Sequence, residues 1–289
     1  MKKIATFLFV GAIALATAVT QVGAVSSFFN GFETDTDGWF SNGGVITRVA
    51  SGTNGVPSAD GSYHAEVEVG ADFTGVFTRW GGYESVFPSN GYVTEVDVYL
   101  DTADNSVLGT DDRFDYSSAV NDPGGNHRRD FIFSVGTDPL VTGQFAVSAS
   151  NNAPGWPSDP ARDPLFIDTT GWYTFSHTFQ DDGSGVLEVI MEVKDSSGTV
   201  LDSWTLSDSS DVIGTTVGGN RYGWFVTSDF PMLEIDNSSK EDIVPVVNPP
   251  ADKEGCKDGG WQASNNPEFK NQGDCISYVT ANENASGNR

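Results

Sequence analysis

The first candidate chemistry is a set of carboxylates on one predicted strand. Residues 94–101 read Thr-Glu-Val-Asp-Val-Tyr-Leu-Asp. Side chains alternate between the two faces of a strand, so Glu95, Asp97 and Asp101 share one face and the aliphatic residues share the other. Two carboxyl groups about 5 to 5.5 Å apart are what a retaining glycosidase needs as acid and nucleophile. The alternative is a solvated strand face, because a half-buried antiparallel strand alternates in this way without any catalytic role.

A second group of polar residues is basic. His127, Arg128 and Arg129 form the main basic cluster, and His64 and His177 are the other histidines. The arginines are expected to pair with acids, since 15 basic residues stand among 40 acidic ones. No Gly-x-Ser-x-Gly, His-Glu-x-x-His or phosphate-loop motif occurs in the sequence. The common nucleophilic and zinc mechanisms therefore lose support.

Large aromatic residues in loop-like segments suggest binding rather than catalysis. Trp80 and Tyr83 flank two glycines, and Trp156 lies between Asn, Gly and Pro residues. Aromatic faces stack on the C–H surfaces of sugar rings, while neighbouring polar groups bond hydroxyls. We expect these three residues to form a glycan platform; the alternative is that they pack over the ends of the fold. The remaining tryptophans lie in strand patterns and are expected in the core: Trp39, Trp172, Trp204 and Trp224.

Short strands must position these residues. Between residues 25 and 242, brief alternating apolar runs are separated by Gly, Asp, Asn and Pro, with no sustained helical period. This pattern predicts an all-β domain over residues 25–242. Gly- and Asp-rich turns at residues 181–185 and 195–198 predict an antiparallel meander of three strands over residues 172–206.

Two short segments resemble the first and last strands of secreted β-jelly-roll proteins: residues 30–39 (Asn-Gly-Phe-Glu-Thr-Asp-Thr-Asp-Gly-Trp) and residues 233–237 (Leu-Glu-Ile-Asp-Asn). These proteins include carbohydrate-binding modules and concanavalin A-like lectins and glucanases. The resemblance implies a two-sheet antiparallel jelly-roll sandwich with a structural calcium between its terminal strands, bound by Glu33 and Asp236. Carboxylates on adjacent strands suit calcium, which takes six to eight oxygen ligands. The alternative is that both residues are ordinary acids at strand ends.

The same resemblance bears on catalysis. Laminarinase-like glucanases follow Glu-x-Asp with a further Glu one or two residues later, but Tyr99 and Leu100 occupy those positions here. The second carboxylate of a hydrolase is therefore missing, since Asp101 comes one residue late. Related polysaccharide lyases rely on Arg, His and Tyr, which would make Arg129 or His177 the candidates.

The two ends of the chain predict where it works. Residues 1–24 combine Lys2 and Lys3, an apolar run and a small-residue cleavage site, as in a secretory signal peptide. No later apolar segment is long enough to anchor the chain in a membrane. We therefore expect a secreted or cell-surface protein. Its net charge of −25 excludes nucleic acid as a partner.

The C-terminal region predicts a small appendage. Prolines mark residues 243–255 as an extended linker. Cys256 and Cys275 predict a disulfide that closes a mini-element at residues 256–281, and residues 282–289 are expected to be disordered. The Cys-Lys-x-Gly-Gly-Trp start and Phe-Lys-Asn-Gln-Gly-x-Cys end resemble a short element of exported bacterial proteins, which suggests a cell-surface contact.

Together these observations favour noncatalytic binding of an extracellular polysaccharide or glycan. Two alternatives stay open: a glycoside hydrolase or polysaccharide lyase of the same fold, and a structural or adhesion protein of the cell surface.

Overall fold

The computed structural model describes residues 27–68, 74–103, 112–138, 141–153 and 155–286, and the predicted signal peptide at residues 1–24 lies outside them. Two antiparallel sheets pack face to face, so the predicted jelly-roll sandwich is confirmed. The strands are β1 (Ser27–Asn30), β2 (Trp39–Asn42), β3 (Val45–Ala50), β4 (Tyr63–Glu68), β5 (Gly75–Thr78), β6 (Tyr92–Leu100), β7 (Arg113–Asn121), β8 (His127–Asp138), β9 (Val141–Asn151), β10 (Leu165–Ile167), β11 (Gly171–Asp181), β12 (Val186–Asp195), β13 (Val200–Val212), β14 (Asn220–Ser228) and β15 (Leu233–Asp242).

The order of strands brings the two ends of the domain together. The first sheet has the order β13-β12-β11-β6-β15-β4-β3, and β1 also pairs with β15. The second sheet has the order β10-β9-β8-β7-β14-β5-β2. The first and last strands of the sandwich are thus neighbours, as the resemblance to jelly-roll proteins implies.

Alternation of side chains builds the core between the sheets. Along β6, every second residue from Tyr92 to Leu100 is buried. Tyr92 stacks on Phe179 of β11 with ring centroids 4.6 Å apart. Phe133 of the second sheet meets Phe175 of the first edge-to-face at 5.1 Å. Such aromatic pairs contribute about 0.5 to 1.5 kcal/mol beyond the apolar area that they bury.

The predicted meander is present as β11, β12 and β13. The Asp181 carboxylate accepts hydrogen bonds from the backbone N–H groups of Gly183 and Gly185 at the first turn. Both glycines have φ near +90°, which side chains disfavour. The sequence of this turn therefore fixes the hairpin locally.

The appendage forms a separate small core. Cys256 and Cys275 are joined in the predicted disulfide, with Cα atoms 5.9 Å apart. Val279 packs beside them, away from the core of the sandwich. Helix α1 (Gln272–Ser286) includes residues 282–286, which the sequence predicted to be disordered. Among the described residues, no helix is long and apolar enough to cross a membrane.

Candidate functional site

The outer face of the second sheet carries an aromatic surface. On β14, Gly223 and Phe225 are buried towards the core, so the alternating residues Tyr222 and Trp224 face outwards. The register places Trp224 opposite Phe77 of β5. Phe77 in turn lies opposite Phe40 of β2, whose ring centroid is 5.4 Å away. Three neighbouring strands therefore align their aromatic side chains in one row.

This row borders a pocket of about 220 Å³. We call it the aromatic pocket; its lining residues are Asn42, Phe77, Tyr83, Arg221, Tyr222 and Trp224. Tyr83 comes from the loop after β5 and is 45% exposed. Two guanidinium groups lie near its ring, with Arg79 at 4.9 Å and Arg221 at 5.5 Å from the ring centroid. The pocket thus combines aromatic faces with hydrogen-bond donors.

Trp80 packs against the strand next to the Tyr83 loop and does not line the aromatic pocket. Trp80 was expected in a glycan platform, but only 2% of the residue is exposed, which favours the alternative that it packs over the end of the fold. Its ring covers Gly223, where an added Cβ would collide with it, and it meets the Phe28 ring edge-to-face with centroids 6.1 Å apart. A larger residue at position 223 would therefore displace the loop that carries Tyr83.

Buried polar contacts anchor the same loop. The Asn121 side-chain amide donates to the Glu84 carbonyl, and the Glu84 N–H donates to the Asn220 carbonyl. The ammonium group of Lys240, whose side chain is 1% exposed, lies 3.1 Å from the Glu84 carboxylate. These contacts fix the residue next to Tyr83 to β7, β14 and β15.

A polar cluster lies beside the aromatic pocket. The Asp130 carboxylate accepts hydrogen bonds from Ser117 at 2.7 Å and from the Tyr222 hydroxyl at 3.1 Å. It also meets the His127 ring nitrogen at 2.8 Å. Burial would raise the pKa of Asp130, but these hydrogen bonds outweigh it and lower that pKa. Burial and the nearby Asp130 charge raise the pKa of Tyr222, so its phenol keeps its proton.

Farther along the same face, a second acid is buried among arginines. Burial raises the pKa of Asp115 to about 6, against the opposing effects of Ser134, Arg113 and Arg162. The Arg113 guanidinium is 3.6 Å from the Asp115 carboxylate. The register puts Asp115 beside Val226, two residues along β14 from Trp224. The acid therefore belongs to the same outer face as the aromatic pocket.

Trp156 is separate from the aromatic pocket. It is half-buried in the loop between β9 and β10 and does not line that pocket. The next residue, Pro157, lies against Gly136 of β8. Gly136 pairs with Arg113, at the end of the sheet away from Tyr222. The structure therefore does not join Tyr83 and Trp156 into one platform.

The predicted catalytic acids lie on the outer face of the first sheet, where each has a partner. Glu95 pairs with Lys194 at 2.7 Å. Asp97 accepts hydrogen bonds from the side chains of Thr174 and Asn237, and Asp101 accepts one from Thr170. Burial raises the pKa of Asp97, and those two hydrogen bonds partly offset the effect. These three acids line a strand face and do not border the aromatic pocket.

Glu33 and Asp236 hold one backbone segment. A Glu33 carboxylate oxygen accepts the N–H groups of Ser62 and Tyr63, and an Asp236 oxygen accepts those of residues 59 and 60. The other Asp236 oxygen accepts the N–H of Asn237. Oxygens that face N–H donors do not fit a calcium site, which needs them directed at the cation. No three His, Cys, Asp or Glu side chains converge on a metal position in the described part of the chain.

A cation of another kind occupies this junction. The Arg48 guanidinium donates hydrogen bonds to the carbonyl oxygens of Phe32 and Glu33. Arg48 also covers the Tyr63 ring. The backbone carbonyls beside Glu33 are thus already paired with a positive group. Calcium binding by Glu33 and Asp236 stays a prediction, and it would require this arrangement to change.

The remaining basic candidates are structural. Arg128 and Arg129 both pair with Asp211 of β13, whose side chain is 1% exposed, so the expectation of ion pairing is confirmed. His177 lies in the core, 4.8 Å from the Phe133 ring, and burial lowers its pKa to about 3. His177 therefore does not reach the outer face that a polysaccharide would contact.

Sequence reasoning missed the main aromatic residues of the site. Trp224 was expected in the core, yet it faces outwards. Trp172 is buried on the outer face of the first sheet, where it donates a hydrogen bond to the Pro57 carbonyl. By contrast, Trp39 lies in the core as expected, and the partly buried Trp204 packs against that core. The sequence did contain a signal for the outward position of Trp224. Trp224 and Phe225 are adjacent on a strand, so their side chains must point to opposite faces and only one of them can lie in the core.

No protein-family model matches the chain, and no curated protein matches it in sequence. Solved structures are similar at low identity. They include the CBM2 module of the evolved Dit of Lactobacillus casei BL23 phage J-1 (13% identity, 76% of this chain and 99% of that chain, TM-score 0.41). A basic winged bean lectin aligns with 13% identity over 76% of this chain and 99% of its own (TM-score 0.40). An alginate lyase from Aplysia kurodai aligns with 11% identity over 69% and 90% (TM-score 0.41). These similarities assign no activity, so function is argued from the residues of this chain.

Proposed function

We propose that the protein is a secreted, noncatalytic carbohydrate-binding protein, and that the aromatic pocket on its second sheet receives a sugar unit. The observation that carries the proposal is the convergence of Tyr83, Tyr222 and Trp224 around a pocket of about 220 Å³. Ligand pockets usually measure about 300 to 1,000 Å³. A pocket below that range suits one sugar ring of a longer glycan.

The lining of the pocket provides both parts of sugar recognition. The rings of Trp224 and Phe77 offer apolar faces for the C–H surface of a sugar. Asn42 supplies an amide that can donate to and accept from hydroxyl groups, and Arg221 supplies guanidinium N–H donors. Most of these groups stand on strands, so the pocket is formed before the ligand binds. A preformed site loses less conformational entropy on binding.

The positions of the acids support a noncatalytic role. Glu95 and Asp97 are bonded to side chains of other strands in the same sheet, and Asp101 is bonded to Thr170 just before β11. Asp130, beside the pocket, is bonded to Ser117, Tyr222 and His127 and keeps a low pKa. A general acid needs a raised pKa near the working pH. Asp130 therefore serves better as a fixed acceptor than as a proton donor.

The test is a glycan-array screen of the mature chain, followed by titration of each hit. Trp224→Ala removes one wall of the pocket, and we expect affinity to fall about thirtyfold, because central aromatic contacts of this kind contribute about 2 kcal/mol. The matched control is Tyr278→Ala, which removes an aromatic residue that is 40% exposed on the C-terminal helix. Equal losses in both variants, or no glycan hit at all, would contradict the proposal.

A second candidate function is glycan cleavage, and one observation favours it. His127, Asp130 and Tyr222 form a connected hydrogen-bonded cluster beside the aromatic pocket. Tyr222 holds its proton and could donate it to a leaving oxygen. Each bound glycan is therefore incubated with the protein and checked for new reducing or unsaturated ends. Product that disappears in Tyr222→Phe would favour cleavage over simple binding.

A further inference from the structure

The two arginines around Tyr83 are among the four described arginines of the sandwich that form no ion pair with an acid. Arg113, Arg128 and Arg129 form ion pairs with aspartates. Arg48 and Arg162 direct N–H groups at backbone carbonyls. Among the described residues, Arg79 and Arg221 have no carboxylate within ion-pair distance. This is unexpected in a chain with 40 acidic and 15 basic residues.

The Arg79 guanidinium lies near three aromatic rings, and its N–H donors have no partner in the part of the chain that the structure describes. Its guanidinium carbon is 5.1 Å from the Phe40 ring centroid, 5.6 Å from that of Phe77 and 4.9 Å from that of Tyr83. No hydrogen bond joins its side chain to a described residue, and the residue is exposed. A guanidinium that stacks on aromatic faces keeps its N–H edges available for a planar, two-point contact with an anion.

Arg221 adds a second positive group near the Tyr83 ring. One of its terminal nitrogens donates to the Gly125 carbonyl, which fixes the side chain. Its Nε is buried and has no partner among the described residues. The pKa of Asp122 is lowered, mainly by hydrogen bonds from Asn126 and to a smaller extent by the positive charge of Arg221. Two guanidinium groups thus stand beside the pocket of a strongly negative protein.

We propose that the aromatic pocket selects an acidic sugar unit, whose carboxylate or sulfate group binds the Arg79 guanidinium, with the Arg221 charge nearby, while its ring stacks on the aromatic residues. This inference rests on the proposed function and specifies its ligand class. The long-range field of the protein repels polyanions, so the two guanidinium groups must offset that repulsion locally. Oxygens of a carboxylate and of a sulfate make the same bidentate contact with arginine, so the two sources share one chemistry.

The experiment uses an array in which every uronate-bearing or sulfated glycan stands beside its carboxyl-reduced or desulfated counterpart. We expect each acidic hit to bind at least about tenfold more tightly than its neutral counterpart, as charged hydrogen bonds are stronger than neutral ones. Preference confined to the uronate pairs or to the sulfate pairs identifies the source of the anion, and either supports the inference.

Arg79→Met is the variant, because Arg79 has no structural hydrogen bond whose loss would unfold the loop. We expect it to lose most of the preference for the acidic member, and Arg79→Lys to recover part of it, since an ammonium keeps the charge but not the planar fork. Lys270→Met removes one positive charge in the C-terminal region and should change neither value. A melting temperature equal to that of the parent confirms that each variant is folded.

The outcomes separate this inference from the proposed function. If neutral counterparts bind as tightly as acidic glycans, or if Arg79→Met changes binding no more than Lys270→Met, the acidic-sugar inference is wrong and carbohydrate binding stands. If no glycan binds, both are wrong.

Discussion

Replacing His177 with phenylalanine should make the sandwich more resistant to acid. His177 has no exposed surface, and burial lowers its pKa from 6.5 to about 3. Between these values the unfolded chain binds a proton at this position and the folded chain does not. The free energy of unfolding is therefore undiminished by His177 above pH 6.5 and decreases because of this residue as the pH falls towards 3.

The size of the effect follows from the two pKa values. Each pKa unit corresponds to about 1.4 kcal/mol, so His177 should cost the parent about 2.5 kcal/mol of unfolding free energy between pH 7 and pH 4.5. Phenylalanine cannot titrate and fits among the rings of Phe133, Tyr116 and Phe179, which surround the imidazole. It loses the hydrogen bond between Nε2 and the Phe131 carbonyl, which costs about 1 kcal/mol at every pH.

The assay is urea unfolding of the parent and of His177→Phe at several pH values from 7 to 4.5. The quantity to compare is the difference in unfolding free energy between the two proteins, because the other titrating groups contribute equally to both. We expect that difference to shift in favour of the variant by about 2.5 kcal/mol as the pH falls. Curves that stay parallel would refute the assignment of His177 to the core. Glycan binding at pH 7 should be the same in both proteins, since His177 does not line the aromatic pocket.

Four further predictions concern other parts of the molecule. Asp211→Asn should lower the unfolding free energy by about 3 kcal/mol, because it leaves two arginines without their buried partner, whereas Asp208→Asn, whose side chain is 40% exposed, should change urea unfolding little. Cys275→Ser should speed proteolysis of the appendage without changing the melting temperature of the sandwich, since the two cores are separate. Calcium or a chelator should leave that melting temperature unchanged. A rise of several degrees in calcium would instead support the calcium site predicted at Glu33 and Asp236. Deleting residues 243–289 should leave glycan binding intact, and lost attachment to cells would place the cell-surface contact in the appendage.

Local patterns predicted much of the fold. The bounds of β6 agree with the alternation seen in the sequence over Tyr92–Leu100. The turn residues at positions 181–185 and 195–198 predicted the meander, because Asp and Gly at those positions stabilise the turns by local hydrogen bonds. Each of these signals acts within a few residues, so it can be read before any tertiary contact is known.

Other strands escaped prediction for a physical reason. β7 (Arg113–Asn121) contains Arg, Asp, Ser and Asn, yet most of its residues are buried. Polar residues at these positions are tolerated because partners arrive from other strands: Ser117 donates to Asp130 of β8, and Ser118 meets Thr94 across the core. Phe114, Tyr116 and Val120 alternate on the core face, but Ser118 interrupts that series, so the apolar alternation is too weak to reveal the strand.

The sequence alone determined the all-β class, the turns, the disulfide partners and the presence of acids and aromatic residues in alternating positions. It could not decide which face of each strand points outwards from the sandwich, because both faces of β14 carry aromatic residues and both faces of the first sheet are partly buried. Only the packing of the two sheets placed Trp224 at a pocket, Trp80 under the loop of Tyr83, and the acids of β6 away from both. Register and sheet order bring together residues as distant as Asn42 and Trp224, and such long-range pairing depends on the whole folded chain.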